Sequence, residues 1–310
     1  MHATRTGMRS AFGICVASLL LLVAVAESAT VPVDCDTGGT ITESMMRLKP
    51  GDTLLVIGTC RENVVIPSDI LRITLDGQGK AAIAAPGDTM DGIFIRGREI
   101  VIRGLTITGG RDGVHLSGAA AGASAVIDGN TIHDTGRGVH LDSGSLARIV
   151  NNRIYSNRGA GIDVNESSSA RVGFILPQDP LGRNSIENNG GDGIMVSRNS
   201  NAWIVGNLIA DNRGSGIAVN RASQVDALDN TISGNARDGI SVNHNSGVNL
   251  RSEGTARQEG PNRTDTSRRN SGFGIRCAIG GYVDGPLGTL AGMEGSKDLD
   301  ATCIDRVTVP

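Results

Sequence analysis

Short apolar segments recur along this chain, and polar turns rich in glycine and asparagine separate them. Apolar and polar residues alternate within each segment, as in Gly-Ile-Ala-Val at 216–219, and this period of two is typical of a β-strand with one buried face. The phrase recurs after five glycines, the last three at intervals of 23 residues: Gly138, Gly161, Gly193, Gly216 and Gly239. A repeat of this length predicts a solenoid, in which each unit packs only on its neighbours.

One repeat predicts three short strands. In residues 216–235 these are Gly-Ile-Ala-Val, Gln-Val-Asp-Ala-Leu and Thr-Ile-Ser, which we name the first, second and third strands. Alternation points five side chains toward a common core: Ile217, Val219, Val225, Ala227 and Ile232. A repeat of this length leaves no room for a crossover helix. The chain is therefore predicted to coil around its core, so that parallel strands stack about 4.8 Å apart.

An asparagine occupies the predicted corner between the second and third strands, two residues before a recurrent isoleucine. When the coils stack in register, each side-chain amide can hydrogen-bond to the same corner one coil away, as in the amide ladders of other stacked strands. We therefore predict a structural asparagine ladder made of Asn130, Asn152, Asn184, Asn207 and Asn230.

The asparagine corner and the Gly-Ile-x-Val phrase together resemble the right-handed parallel β-helix of the pectin-lyase-like superfamily, over roughly residues 53–277. Three stretches are also similar to a group of bacterial secreted β-helix repeat proteins with no assigned reaction: Val-Asp-Cys at 33–35, Gly-Thr-Cys at 58–60 and Phe-Gly-Ile-Arg-Cys-Ala-Ile-Gly-Gly-Tyr at 273–282. The resemblance implies an all-β fold and an exported protein. It selects no reaction, because the fold carries lyases, hydrolases, epimerases and non-catalytic proteins. The Asp-Pro-His-Asp motif of alginate epimerases does not occur in the sequence.

The first 26 residues predict a secretory signal peptide. Arg5 and Arg9 precede an apolar stretch at 11–25, and Ala-Val-Ala at 24–26 fits an A-x-A cleavage site. No second long apolar segment follows, so we predict a mature protein without a membrane span. Its expected location is the periplasm or the exterior of a bacterial cell.

The mature chain is predicted to have three parts. Residues 27–52 form an N-terminal cap with a short helix, because Thr-Ile-Thr-Glu at 40–43 is a capping-box pattern. The parallel β-helix follows at 53–277, and residues 278–310 form a C-terminal cap that is rich in glycine and lacks the repeat.

The amino-acid composition narrows the range of partners that the protein is expected to bind. Removal of the two signal arginines leaves 27 of the 29 Lys and Arg residues against 32 Asp and Glu, a net charge of −5. Nucleic-acid binders are usually basic, so this class is excluded. Only 2% of residues are aromatic, which counts against a sugar-binding module built on stacking platforms but leaves a site of charged and hydrogen-bonding groups open. The sequence predicts no cofactor and leaves the oligomeric state open.

Four cysteines remain in the mature chain: Cys35, Cys60, Cys277 and Cys303. An even number in an exported protein predicts disulfides rather than metal ligands, and no Cys-x-x-Cys occurs. Three pairings are possible. We favour Cys35–Cys60 and Cys277–Cys303 because each pair is close in sequence. Loops of that size stabilise a protein by roughly 3 kcal/mol each, and both would tie down an end of the solenoid.

Polar residues on the first strands form a candidate catalytic site. The outward position between the two inward residues holds His115, His140 and Asp163 on three consecutive coils, and Asp142 occupies the next outward position. A coil spacing of about 4.8 Å places all four within about 10 Å of one another.

Candidate substrate-binding residues flank this column. Arginines stand in the turn before each first strand, and a row of cations beside His and Asp suits an acidic polysaccharide that lies along the solenoid axis. Trp203 is on an outward position of a second strand, where its ring can stack on a sugar or pack under a neighbouring loop. The candidates are Arg111, Arg137, Arg158, Asn165 and Trp203.

Three reactions fit such a site. An arginine can neutralise a uronate carboxylate while a neutral histidine removes the C5 proton; elimination then gives a lyase, and reprotonation on the other face gives a C5-epimerase. Asp142 and Asp163 can instead serve as the acid and base of a glycoside hydrolase. Binding without catalysis, a His–His–Asp metal site and an ordinary polar surface stay open as alternatives. We expect an exported protein that binds an extended acidic polysaccharide; the alternative is a non-catalytic structural or surface-adhesion solenoid.

Overall fold

The computed structural model describes residues 28–119, 122–251 and 259–308. Its elements in chain order are β1 (Thr30–Asp34), α1 (Ile41–Met45), β2 (Thr53–Ile57), β3 (Thr59–Cys60), β4 (Val64–Ile66), β5 (Thr74–Ala84), β6 (Ile93–Ile95), β7 (Ile100–Thr108), β8 (Asp112–Ser117), β9 (Ser124–Asp128), β10 (Thr131–His133), β11 (Arg137–Asp142), β12 (Leu146–Val150), β13 (Arg153–Tyr155), β14 (Ile162–Val164), β15 (Ser169–Val172), β16 (Ser185–Glu187), β17 (Ile194–Val196), β18 (Asn201–Val205), β19 (Leu208–Ala210), β20 (Ile217–Val219), β21 (Gln224–Leu228), β22 (Thr231–Ser233), β23 (Ile240–Val242), β24 (Gly247–Asn249), β25 (Phe273–Cys277), β26 (Tyr282–Pro286), β27 (Gly295–Leu299) and β28 (Ile304–Thr308).

The strands stack in parallel as a right-handed β-helix with three faces, which confirms the predicted fold. The first strands form a 10-stranded sheet: β4, β6, β8, β11, β14, β17, β20, β23, β25 and β27. The second strands form another face, whose first strand is β1 and whose last is β28. The third strands form the remaining face, from β3 to β22. Strands β5 and β7 continue through the corner between these two faces, and they join them into one 18-stranded sheet.

The predicted inward residues form the core. Ile217, Ile232 and Ala227 are completely buried; Ile217 pairs with Ile194 and Ile240, and Ile232 pairs with Ile209. The asparagine ladder is also present. Each side-chain oxygen accepts from the backbone N–H and the side-chain amide of the previous asparagine, and the ladder continues one coil further to Asn262. Buried corner amides are thereby satisfied without water.

Two more polar ladders line the other corners. The corner after the third strand carries a second amide ladder, which begins at Thr135 and continues through Asn157, Asn189, Asn212, Asn235 and Asn270. The corner after the first strand carries a serine ladder in which each hydroxyl accepts from the backbone N–H one coil below: Ser145, Ser168, Ser200, Ser223 and Ser246. Each corner therefore repeats one hydrogen-bonding side chain along the axis.

The recurrent glycine is required by a close approach of the backbone. A Cβ at Gly216 would lie 2.7 Å from the carbonyl oxygen of Gly239 and would also collide with the Ile232 side chain. Gly216 is absent from the residues with positive φ. The phrase therefore begins with glycine because the third strand packs against its backbone, and a left-handed conformation is not the reason.

Both ends of the solenoid are tied down. Cys35 bonds to Cys60 and Cys277 to Cys303, which confirms the favoured disulfide pairing. Thr40 caps α1 by accepting a hydrogen bond from the Glu43 N–H. The parallel ladder continues beyond the predicted bounds of 53–277, to β1 at one end and to β28 at the other. The predicted signal segment at 1–26 lies outside the described residues.

Among the residues that the structure describes, no helix has the length and apolar character needed to cross a membrane.

Candidate functional site

The strand register brings the predicted catalytic residues together. On the first-strand face His115 pairs with His140, and His140 pairs with Asp163. The rings of His115 and His140 stack along the axis with a centroid distance of 4.6 Å, and the Phe94 ring lies tilted against His115 at 4.9 Å. These side chains point outward as predicted, yet they are buried: His115 and His140 are each 6% exposed and Asp163 is 1% exposed. Neighbouring polar side chains therefore cover this part of the first-strand face.

His115 is held between two carboxylates. Its Nδ1 lies 2.8 Å from Asp91 Oδ2, and its Nε2 lies 3.0 Å from Asp142 Oδ2. Burial opposes a charge on the ring, but the hydrogen bonds and the charges of Asp91 and Asp142 outweigh it and raise the pKa of His115. Burial raises the pKa of Asp142, and hydrogen bonds from Ser117 and His115 outweigh that effect, so the net shift is downward.

His140 has the same orientation but fewer bonds. Its Nδ1 lies 3.4 Å from Asp112 Oδ2, and its Nε2 lies 3.8 Å from Asp163 Oδ2. Among the described residues neither ring nitrogen has a hydrogen-bond partner, although both are buried. Oδ1 of Asp163 is also buried without a partner there. Unsatisfied buried polar atoms are rare, and a group of them often marks a ligand or water site.

Arg137 joins the two carboxylates nearest to His140. Its guanidinium donates to both oxygens of Asp112 at 2.7 and 2.8 Å, and to Asp163 at 3.0 Å. Burial raises the pKa of the Asp112 carboxyl, but His140 and Arg137 hold it well below its usual range. Burial dominates at Asp163 and raises the pKa of that carboxyl despite the attraction of His140 and Arg137. Two neighbouring carboxylates therefore differ in their affinity for a proton.

The other predicted arginines of this face, Arg111 and Arg158, also bind carboxylates of the protein. Arg111 donates two hydrogen bonds to Asp91, at 3.0 and 2.9 Å, and Arg158 contacts Asp88 at 3.2 Å and the carbonyl of Gly110 at 3.1 Å. We expected a free row of cations beside the histidines. The structure instead neutralises these guanidinium groups with carboxylates, so this part of the face has no surplus positive charge.

Sequence reasoning missed Asp91 and undervalued Asp112. Asp112 is completely buried although it lies in the turn before a first strand. A signal was present, since Asp91-Gly92 and Asp112-Gly113 both place an aspartate directly before the glycine that begins a first strand. The β6–β8 pairing, in which Phe94 lies opposite His115, then brings the Asp91 carboxylate next to the ring.

Three donors of this network are positioned to hold a metal ion. One ligand atom each from Asp112, His115 and His140 lies within 4.8 Å of the other two. Nδ1 of His115 and Nδ1 of His140 lie 4.0 and 3.4 Å from Asp112 Oδ2. Two imidazoles and one carboxylate form a donor set that suits zinc and copper. The unpartnered nitrogens of His140 fit such an ion. A His–His–Asp metal site was one of the alternatives that the sequence left open.

A cleft opens further along the same face. It has a volume of about 280 Å³ and is lined by Asn165, Met195, Ser197, Arg198, Asn220, Arg221, Asn243 and His244. An adjoining cleft of about 500 Å³ shares Asn243 with it and includes Arg237 and Arg276. We name the two together the first-strand cleft. Of the predicted substrate-binding residues, Asn165 lies in it.

Stacked turns present two arginines and a histidine to this cleft. Arg198, Arg221 and His244 occupy the same corner position on successive coils, and all have φ of 55°. Left-handed backbone is strained for residues other than glycine and usually needs support from the surrounding structure. Here the next residue in each turn donates from its N–H to the coil above: Asn199 to the Arg221 carbonyl and Ala222 to the His244 carbonyl. The side chains are therefore held in a parallel row.

Trp203 lies on the second-strand face, away from the histidines. Its ring meets Phe174 edge to face at 5.4 Å, and Arg171 approaches it at 6.0 Å. It belongs to a small apolar cluster with Phe174, Val205 and Leu228. The contact with Phe174 favours the packing alternative. The ring also lines a separate cleft of about 300 Å³ together with Arg171 and Asn201.

Comparisons with known proteins agree with this architecture. The family model described as "Periplasmic copper-binding protein (NosD)" matches residues 73–258, more than half of the chain. A comparison with curated proteins gives no match. Among solved structures the pectate lyase Pel9A is similar over 93% of this chain and 80% of its own, with 12% identity and a TM-score of 0.56.

Two further solved structures are similar at comparable levels. A double mutant of the periplasmic alginate epimerase AlgG matches over 91% of this chain and 73% of its own, with 15% identity and a TM-score of 0.51. The enzymatically active domain of tailspike protein 2 from bacteriophage CBA120 matches over 83% of this chain and 43% of its own, with 12% identity and a TM-score of 0.51. At these identities the likeness establishes the fold alone.

Proposed function

The chain belongs to the family of the periplasmic copper-binding protein (NosD), and we propose that it is an exported, periplasmic β-helix protein that binds an extended acidic polysaccharide in the first-strand cleft. The family description supports the periplasmic location. Solved proteins of the same fold include a pectate lyase and an alginate epimerase, whose names refer to acidic polysaccharides.

The row of cations in the cleft carries the proposal. Arg198 and Arg221 are exposed and lie one coil apart, so their charges repeat about every 4.8 Å along the axis. Arg198 has a distant carboxylate partner, Glu166, at 3.7 Å. Within the described parts of the chain, Arg221 has no carboxylate within salt-bridge distance. A polymer with one carboxylate per sugar can place successive charges against such a row through charge-assisted hydrogen bonds.

Amides and hydroxyls beside the arginines add uncharged contacts. Asn165, Ser197, Asn220 and Asn243 occupy successive coils next to the cations, and the Ser197 hydroxyl already donates to the Asn220 oxygen at 2.9 Å. Groups held this firmly lose little entropy when a ligand arrives. A sugar ring with several hydroxyls can replace solvent at these side chains, so the cleft combines charge recognition with hydrogen bonding.

Binding without turnover fits the histidine network better than catalysis does. Both nitrogens of His115 face carboxylates, so this ring is not free to remove a proton. The nitrogens of His140 are buried behind Arg137 and its partners, out of reach of a bulky sugar. Activity would require this network to open. We therefore propose a binding protein and treat lyase, epimerase or hydrolase activity as an outcome that the experiment can reveal.

The test is retention of the mature chain (residues 27–310) on immobilised polygalacturonate, alginate and dextran at low and physiological salt. We expect retention on the two polyuronates, weakening with salt, and none on neutral dextran. Absorbance of unsaturated products and a reducing-end assay on the same samples detect turnover. Product formation would replace the binding proposal with an enzyme. Absence of retention on every polymer would refute the proposal and favour the structural or surface-adhesion solenoid.

A further inference from the structure

We propose that Asp112, His115 and His140 bind one divalent transition-metal ion, with copper(II) preferred, at the buried end of the first-strand face. This site is separate from the first-strand cleft, and the inference does not depend on polysaccharide binding. It assigns specific residues to the metal that the family description names. Three observations support it: the distances between the donor atoms, the unpartnered nitrogens of His140 and the local charge.

Both imidazoles place Nδ1 near the same carboxylate oxygen. Nδ1 of His140 lies 3.4 Å from Asp112 Oδ2, and Nδ1 of His115, which is hydrogen-bonded to Asp91 at 2.8 Å, lies 4.0 Å from that oxygen. Each turns Nε2 toward a carboxylate on the far side, Asp142 at 3.0 Å and Asp163 at 3.8 Å. The hydrogen bond from His115 Nε2 to Asp142 favours the tautomer in which Nδ1 can coordinate a metal, whereas both nitrogens of His140 have no hydrogen-bond partner among the described residues.

The donor distances suit a single ion. Zinc and copper ions lie about 2.0–2.1 Å from nitrogen and oxygen ligands, so two donors of one ion are at most about 4.2 Å apart. Both His–Asp distances meet this limit, and all three donors lie within 4.8 Å of one another. The 4.8 Å bound exceeds this limit, so binding would require the two imidazole nitrogens to move slightly closer together.

Charge and burial at the site also favour a cation. Four carboxylates converge here, from Asp91, Asp112, Asp142 and Asp163, against the guanidinium groups of Arg111 and Arg137. With neutral imidazoles the cluster carries two excess negative charges, which a divalent ion would balance. The ion would take the place of the proton that His115 Nδ1 shares with Asp91, and that proton would leave to solvent. His140, whose buried nitrogens have no partner among the described residues, would gain one.

The chemical nature of the three donor groups determines which metal ions are expected to bind most tightly. Two nitrogen donors favour copper and zinc over calcium and magnesium, which prefer oxygen ligands. Copper(II) is the tightest binder of the divalent first-row ions at such sites. The expected order is therefore copper above zinc, with calcium far weaker.

The experiment titrates the tag-free, metal-free mature chain with copper sulfate, zinc chloride and calcium chloride in an isothermal calorimeter. Electron paramagnetic resonance of the copper-loaded sample counts nitrogen ligands. The key variant is His140→Phe, which keeps the ring stack and removes both nitrogens. The matched control is His133→Phe, because His133 also stacks on an aromatic ring, that of Tyr155 at 4.9 Å, on the third-strand face.

We expect one copper ion per chain, hyperfine coupling to two nitrogens, and an affinity that falls roughly 100-fold or more in His140→Phe but stays unchanged in His133→Phe. Circular dichroism and thermal melting establish that both variants fold. If His140→Phe fails to fold, the nitrogen count of the unmodified chain still decides. No stoichiometric copper binding, a spectrum without nitrogen coupling, equal affinity in His140→Phe, or calcium binding as tight as copper would each overturn the proposal.

Discussion

The side-chain oxygen of Asn207 accepts two hydrogen bonds from Asn184, one from the backbone N–H at 3.2 Å and one from the side-chain amide at 2.8 Å. Asn207 in turn donates from its own backbone N–H to Asn230 at 3.0 Å and from its side chain to the Val172 carbonyl at 3.0 Å. One buried side chain thus connects three successive coils and satisfies several polar groups that water does not reach.

Asn207→Ala is therefore expected to destabilise the protein by about 3 kcal/mol or more, because several buried polar groups lose their partners at once. Urea unfolding followed by circular dichroism measures the change. Asn201→Ala is the control, since Asn201 is exposed at the start of β18 and should cost well under about 1 kcal/mol. Equal losses in the two variants would show that the ladder contributes nothing special to stability.

The C-terminal disulfide should stabilise the last coils. Cys277 and Cys303 are 26 residues apart, and a loop of this size is worth about 3 kcal/mol in the chain-entropy model. The double variant Cys277→Ser/Cys303→Ser should lose about that amount in urea unfolding. Proteolysis should then cut first within 278–310. An unchanged midpoint would mean that packing alone holds this end.

Asp52 should make the N-terminal end sensitive to acid. Its carboxylate accepts hydrogen bonds from the backbone N–H of Lys49 at 2.7 Å and from that of Ala29 at 2.8 Å. Both bonds lower the pKa of Asp52, and the bond from Lys49 has the larger effect. A carboxyl with a lowered pKa contributes stability above its unfolded pKa of about 3.9 and loses it as the pH falls through the folded value.

Asp52→Asn should therefore melt below the unmodified protein at pH 7, and the difference should close as the pH falls through the lowered pKa of Asp52. Thermal melts from pH 2 to pH 8 measure this gap. Asp69→Asn serves as the control because Asp69 is exposed. A gap that stays constant over the whole range would show that the lost contact, rather than the charge of Asp52, causes the effect.

The sequence predicted the core and the asparagine corner because both recur with the coil. Ile132 and Ile154 are neighbours in the register as their spacing indicates, and Asn130 and Asn152 are bonded as expected. The second ladder, at Asn189 and its equivalents, has the same period. It was missed because asparagines in a turn are also common for local reasons.

The burial of His115 and His140 could not be predicted from the sequence repeat. Alternation correctly pointed His115 outward, but its exposure depends on what lies beside it. Asp91 reaches the ring through an irregular early coil, in which no repeat phrase indicated the register. Arg137 then crosses from Asp112 to Asp163 and covers His140. Side-chain contacts between coils, rather than the period of each coil, determine this site.

The most direct test of the proposed function is calorimetric titration of the mature chain and two variants with an oligogalacturonate at physiological salt. Arg198→Gln/Arg221→Gln removes two of the four arginines that line the first-strand cleft, and Arg153→Gln removes an exposed arginine from the third-strand face. Charge-assisted hydrogen bonds contribute about 1.5–3 kcal/mol each, so the double variant should bind at least about 100-fold more weakly. Arg153→Gln should bind like the unmodified chain. Equal affinities in all three proteins would contradict the assignment of the acidic polysaccharide to this cleft.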